Sequence, residues 1–130
     1  MADKLNVSLV SPERELFSGQ VDQVDLPGTE GNLGILPDHA PLMAALTTGA
    51  ITLYNDGSEE KFFVQGGFAD VTPAGLTVLA ERALPLRDVT RDDLSAEIEK
   101  AKADLEVLND EGALAARQNI DGLEMLFDLV

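Results

Sequence analysis

The 130 residues carry 24 acids against nine bases, a formal charge of −15 and a pI near 4.1. Such a surface repels phosphate backbones and anionic lipid headgroups, which argues against nucleic acid as a partner. Cysteine is absent and histidine occurs once, so disulfides, thiolate metal sites, multi-histidine metal centres and histidine-pair acid–base schemes are excluded.

Hydrophobic residues make up 45%, enough for a core, but aromatics are limited to five Phe and one Tyr, so that core is mostly aliphatic. The chain opens Met-Ala-Asp-Lys-Leu-Asn without an apolar signal core, and a cytoplasmic protein is expected. The longest uncharged run, His39 to Asn55, lies between Asp38 and Asp56 and contains Pro41, Gly49 and several Thr. A spanning helix needs about 20 mostly apolar residues, so no direct membrane insertion is expected.

Up to Arg87 the chain reads as short strands. Leu5, Val7 and Leu9 alternate with Asn6 and Ser8, the period of a half-buried strand. Gln20–Leu26 alternates again, with one register change. Further strands are expected at Ala50–Tyr54, at Lys61–Gln65 after the Asn55-Asp56-Gly57 turn, at Ala69–Val71, and at Leu76–Ala80 after Thr72-Pro73-Ala74-Gly75. Turn signals recur roughly every 8–12 residues, the spacing of a sandwich or barrel.

The composition changes at residues 84–90. All six Pro and nine of the eleven Gly lie in the part up to Arg87, and beyond it the chain is dense in helix-forming Ala, Leu, Glu and Lys. The expected division is a β domain over 1–87 and a helical hairpin over 88–130. Thr90 stands three residues before Asp93, as in a capping box. Leu94, Ile98, Ala101, Leu105 and Leu108 form one apolar face. Asn109-Asp110-Glu111-Gly112 reads as the turn. Ala113, Ala116, Ile120, Leu123 and Phe127 mark a second helix, antiparallel to the first because the loop is short.

Catalytic motifs are lacking. No Lys follows a Gly as a P-loop requires, and Gly28-Thr-Glu-Gly31-Asn-Leu-Gly34 has the wrong spacing for a dinucleotide fingerprint. No Gly-x-Ser-x-Gly elbow occurs. Asp38-His39 lacks a nucleophile motif, and Glu59-Glu60 beside a turn reads as a solvated hairpin tip. The informative segment is Gly28 to Leu42. Its three glycines imply tight backbone turns, and Pro37 and Pro41 stiffen its second half. A stiff loop with polar tips and the apolar anchors Leu33, Ile35 and Leu36 suits either a docking surface or a rigid connection.

Several stretches together resemble a known family. They are Val-Ser-Pro-Glu-Arg-Glu-Leu-Phe-Ser-Gly (10–19), Gly-Thr-Glu-Gly-Asn-Leu-Gly-Ile-Leu-Pro-Asp-His-Ala-Pro-Leu (28–42), Gln65-Gly66-Gly67-Phe68 and Leu79-Ala80-Glu81. In this order they resemble the epsilon subunit of bacterial F-type ATP synthase, called delta in mitochondria. The resemblance spans the whole chain. It implies a β-sandwich of two five-stranded sheets followed by two antiparallel helices. It implies a non-catalytic rotor subunit, without cofactor, that links gamma to the membrane c-ring and couples proton transport to ATP synthesis. The implied location is peripheral, on the cytoplasmic face of the bacterial inner membrane.

Residue by residue, Ser11, His39 and Leu42 match gamma-facing positions, and Glu30, Gly31 and Asn32 match the c-ring-facing loop. Many members carry an acid where Asn32 stands. Some members bind ATP through an Asp-x-x-Arg-Ala motif. Asp88 and Arg91 match its Asp and Arg, but Asp92 replaces Ala and the adjoining helix is acidic, so nucleotide binding is not expected. The tail's partners would be alpha and beta. Residues 88–130 hold twelve acids and four bases, so at most weak inhibition of ATP hydrolysis is expected. The competing reading is a free-standing β-sandwich binding module, or a small hydrolase, with a helical appendage.

Overall fold

The computed structural model describes residues 4–107 and 110–130, leaving aside the side chains of Asp110 and Glu111. Eight strands come first: β1 (Leu5–Val10), β2 (Glu15–Val21), β3 (Gln23–Gly28), β4 (Gly31–Ile35), β5 (Leu42–Leu46), β6 (Gly49–Asn55), β7 (Ser58–Thr72) and β8 (Gly75–Pro85). A single 3₁₀ turn, Leu86–Asp88, leads to α1 (Arg91–Leu105) and α2 (Asp110–Leu129).

The expected sandwich is present, and β7 and β8 explain how eight strands build two five-stranded layers. Both are long, and both bend where Gly66 and Gly67 adopt φ of +74° and +124°. A Cβ on Gly67 would stand 2.2 Å from the Leu79 carbonyl oxygen, so only glycine allows this crossing. Beyond the bend, β7 and β8 pair with β5 and β1, and β1 pairs with β2, giving sheet one in the order β2-β1-β8-β7-β5. Before the bend in β7, the same two strands form sheet two with β6, β3 and β4. One pair, Gly28 with Leu46, joins the layers on the other side.

The alternation read in the sequence sets which side chains enter the core. Leu5, Val7 and Leu9 of β1 all point inward and are buried. They meet Val71 and Val78 of sheet one and Val24, Leu53, Phe62 and Val64 of sheet two in one cluster. Gln20–Leu26 divides at Asp22 into β2 and β3, which is the register change expected there.

The segment 28–42 departs from the rigid-loop reading. Gly31–Ile35 forms strand β4, antiparallel to β3, and Leu42 opens β5. Only residues 36–41 connect them, with Asp38 at φ +64° and the His39 N–H donating to Leu36.

The Thr90 capping box forms as expected, with its hydroxyl accepting from the Asp93 N–H at 3.1 Å and the Asp93 carboxylate accepting from the Thr90 N–H at 3.2 Å. Asp110 to Gly112, expected in the turn, belong to α2. Leu108 and Asn109 lie outside the described residues.

A second apolar cluster seats the helices on sheet two. It joins Phe63, Leu86, Val89, Leu94, Leu123 and Leu126. Each fully buried leucine there contributes about 1.5–3 kcal/mol to the seam.

Candidate interaction surfaces

No cluster of three or more His, Asp or Glu with metal-binding geometry occurs among the described residues. A groove of about 610 Å³ runs between α2 and the β3–β4 side of sheet two. Within it the Tyr54 hydroxyl donates to Asp25 at 2.7 Å and Lys61 donates to Thr52 at 3.1 Å. The Asp25 hydrogen bond holds the Tyr54 hydroxyl above its usual 10.0, because it stabilises the protonated phenol. These groups hold one another and form no nucleophile–base pair. No described helix is long and apolar enough to cross a membrane.

The outward face of sheet one is different. Register places Val10, Leu79, Phe68 and Ala45 in one row across β1, β8, β7 and β5, with Met43 in the next row. Met43 is 71% exposed, Leu79 57% and Phe68 55%. Single exposed apolar residues are ordinary, but a contiguous strip on one sheet face marks an interaction surface.

Of the expected gamma-facing residues, Ser11 and Leu42 adjoin strip residues in sequence, and His39 stands beside Thr72. Ser11 follows Val10 and is buried in the β1–β2 turn, where its N–H donates to the Arg14 carbonyl at 2.9 Å and its hydroxyl to the same oxygen at 3.3 Å. Leu42 precedes Met43 but packs partly into the core. The half-buried His39 ring hydrogen-bonds through Nδ1 to the Ala40 carbonyl at 2.7 Å. It lines a cavity of about 310 Å³ with Lys4, Asn6 and Thr72. Reading the sequence alone missed Met43, Phe68 and Leu79 as surface residues. Their outward direction follows only from strand register.

Glu30, Gly31 and Asn32 stand together and exposed at the β3–β4 hairpin tip. The tip is braced from behind. The Thr29 N–H donates to Ala45 at 3.0 Å, and the Thr29 carbonyl accepts from the Gln118 side chain at 3.0 Å.

Asp88 is exposed at the end of the 3₁₀ turn. The Arg91 Nε donates to the main-chain oxygen of Val130 at 2.6 Å, and its guanidinium lies 5.1 Å from the Phe127 ring centre. That residue fastens the two ends of the tail together.

A polar network crosses from sandwich to tail. Arg82 pairs with Glu97 and donates to Gln65 at 2.9 Å, and Gln65 donates to Asn119 at 3.2 Å. Thr48 also donates to Asn119. One turn along α2, Gly122 lies directly on the Thr48 backbone.

The same sandwich and tail recur in known proteins. Residues 4–86 match the family model described as "ATP synthase, Delta/Epsilon chain, beta-sandwich domain". The ATP synthase epsilon chain of Parvibaculum lavamentivorans is 51% identical over 128 residues, 97% of each chain. That of Maricaulis maris is 51% identical over 111 residues, covering 85% of this chain and 84% of its own. Among solved structures, a chain of the Euglena gracilis mitochondrial ATP synthase, in a structure of OSCP, F1 and c-ring, superposes with a TM-score of 0.79 at 19% identity. That match covers 97% of this chain and 81% of the other. A chain of the Tetrahymena thermophila mitochondrial ATP synthase central stalk and c-ring gives 0.68 at 17% identity, covering 98% and 97%. At these identities the two structures show the shared fold.

Proposed function

The chain belongs to the epsilon family of F-type ATP synthase subunits, as a non-catalytic member, and we propose that it joins gamma to the c-ring within the rotor. In this reading the outward face of sheet one, with Ser11, His39 and Leu42 along its margin, seats on gamma. The β3–β4 tip at Glu30, Gly31 and Asn32 meets the c-ring. The subunit then transmits the torque of proton flow to the catalytic subunits, from the cytoplasmic face of the inner membrane and without inserting into it.

The observation that carries this reading is the exposed strip of Met43, Phe68 and Leu79, which nothing in the chain covers among the described residues. Removing such a strip from water is favourable by about 25 cal/mol per Å² of apolar area, a gross gain from which the entropic cost of association is subtracted.

Sandwich and tail are proposed as separable units meeting at residues 87 and 88. The tail lies folded against sheet two, and its exposed surface is acidic. An acidic segment of a partner would repel it, although salt screens that repulsion over about 8 Å. The reading therefore includes at most weak restraint of hydrolysis through alpha and beta, and no nucleotide bound at Asp88 and Arg91.

The test is affinity purification of the tagged full chain from solubilised membranes. Gamma and the c subunit are expected to co-purify. Recovery of the chain without either would overturn the assignment.

A further inference from the structure

Charge on the outward face of sheet one is of a single sign. Glu15, Asp70 and Glu81 stand around the apolar strip, on β2, β7 and β8. Glu15 is the cross-strand partner of Val10, and Asp70 pairs directly with Met43. Glu81 lies over Gly66, two residues along β8 from Leu79. The segments that build this sheet, residues 5–10, 15–21, 42–46, 67–72 and 75–81, contain no Lys or Arg.

None of the three acids forms an ion pair among the described residues, and the nearby bases are committed elsewhere or offset. Lys4 holds Asp22 at 2.6 Å and Asp56 at 3.0 Å. Arg82 pairs with Glu97 on the side of the tail. Arg14, in the turn before β2, stands between Glu13 and Glu15 in sequence.

An apolar strip edged only by acids selects its occupant. A second copy of the chain would set acid against acid, and a membrane surface of anionic lipid would be repelled. We propose that the partner surface seated here is an apolar ridge bordered by Lys or Arg side chains, and that the three acids steer and orient its approach. This rests on the docking reading above and adds the chemistry of the gamma surface that the strip receives. Rim charges of this kind act mainly on the association rate and its salt dependence, while the apolar centre sets the dissociation rate.

The test uses the full chain and the alpha–beta–gamma assembly prepared without it. Association rates are followed by stopped flow from about 50 to about 300 mM salt, across which the Debye length shortens by more than half. The wild-type rate should fall about tenfold across that range. Joint replacement Glu15→Gln, Asp70→Asn and Glu81→Gln should slow association about tenfold at low salt and flatten the salt dependence. Glu81→Lys alone should slow it further than Glu81→Gln. All three side chains face solvent or the sheet's outer side, and circular dichroism checks that each variant is folded. A flat wild-type profile, or association unchanged or faster after neutralisation, overturns the basic-rim assignment and leaves the docking reading in place. Failure of the wild-type chain to bind at all overturns the docking reading, and this proposal with it.

Discussion

Replacing Gly122 with Ala separates two opposed effects by sign. Gly122 lies inside α2, where glycine ordinarily costs about 1 kcal/mol relative to alanine. On helix propensity alone, Gly122→Ala would stabilise the tail. In the folded chain, however, the added Cβ would stand 1.9 Å from the Thr48 carbonyl oxygen and 2.6 Å from its carbon. These neighbours are backbone atoms, held by β6 pairing immediately beyond, at Gly49, so rotating a side chain gives no relief. Helix and sheet must part by roughly an ångström or more, and overpacking of this kind costs about 1–3 kcal/mol. The same displacement stretches the Thr48–Asn119 and Gln65–Asn119 hydrogen bonds, each worth about 1 kcal/mol. It also loosens Leu123 and Leu126, which are 1% and 0% exposed. The net expectation is a tail docked about 1–3 kcal/mol less firmly, with the sandwich intact. Amide hydrogen exchange in α2 should then quicken by about five- to 150-fold while β1 and β7 stay protected. Slower exchange in α2, or a raised melting temperature, would refute the close seating of α2 on Thr48.

Met43→Asp and Phe68→Asp should each weaken binding to the gamma-containing assembly by at least about tenfold, because a charge would be buried against the partner, with folding checked by circular dichroism. Leu42→Asp should weaken folding as well, since Leu42 packs against the core, and thermal melts separate the two cases. The chain ended after Arg87 should still fold and support ATP synthesis, while binding an apolar dye at the uncovered Phe63 and Leu84. Removing residues 88–130 should raise ATP hydrolysis by the membrane complex only slightly at low and high salt, and a large rise would mean that apolar contacts or Arg117 outweigh the acidic balance. Lys4 holds the Asp22 carboxyl below its usual 3.8, mainly through their hydrogen bond, and Asp22 raises Lys4 above its usual 10.5. The pair therefore stabilises the fold fully between those two values. The contribution fades as pH falls below 3.8 through the folded Asp22 value, and as pH rises past 10.5 through the folded Lys4 value. Melting curves of wild type and Lys4→Met should differ at neutral pH and draw together in acid, down to what the Lys4 hydrogen bond to the neutral Asn55 side chain sustains. A difference of undiminished size at the lowest pH would contradict this pairing.

Much of the fold was legible in local pattern. The alternation at Leu5, Val7 and Leu9 identified both a strand and its buried face, and Thr90 with Asp93 marked the start of α1 by its capping chemistry. Strands β4 and β5 were not legible. Gly31 and Gly34 dilute the alternation of β4, and Leu-Met-Ala-Ala-Leu in β5 has no β-branched residue to signal a strand. The bend at Gly66 and Gly67 made β7 look like two separate strands, whereas glycine there carries one strand across both layers. The candidate interface was hidden for a related reason. Phe68 and Leu79 carry no outward signal in the local pattern, and only register sets them outward in one row. Gly122 is similar: in sequence it looks like a weak point in a helix, and only the packing reveals a contact surface. The resemblance gives Ser11, His39 and Leu42 as gamma-facing, whereas the apolar side chains most open to solvent on sheet one are Met43, Phe68 and Leu79.

Site-specific photo-crosslinking tests the docking of sheet one most directly. A photoreactive residue at position 43 or 68, in the complex solubilised from membranes, should form its principal adduct with gamma. The same group at exposed Leu114 on α2 should form little or none. Adducts at 43 and 68 that lack gamma, in a complex where gamma is present and turning over, would contradict the account.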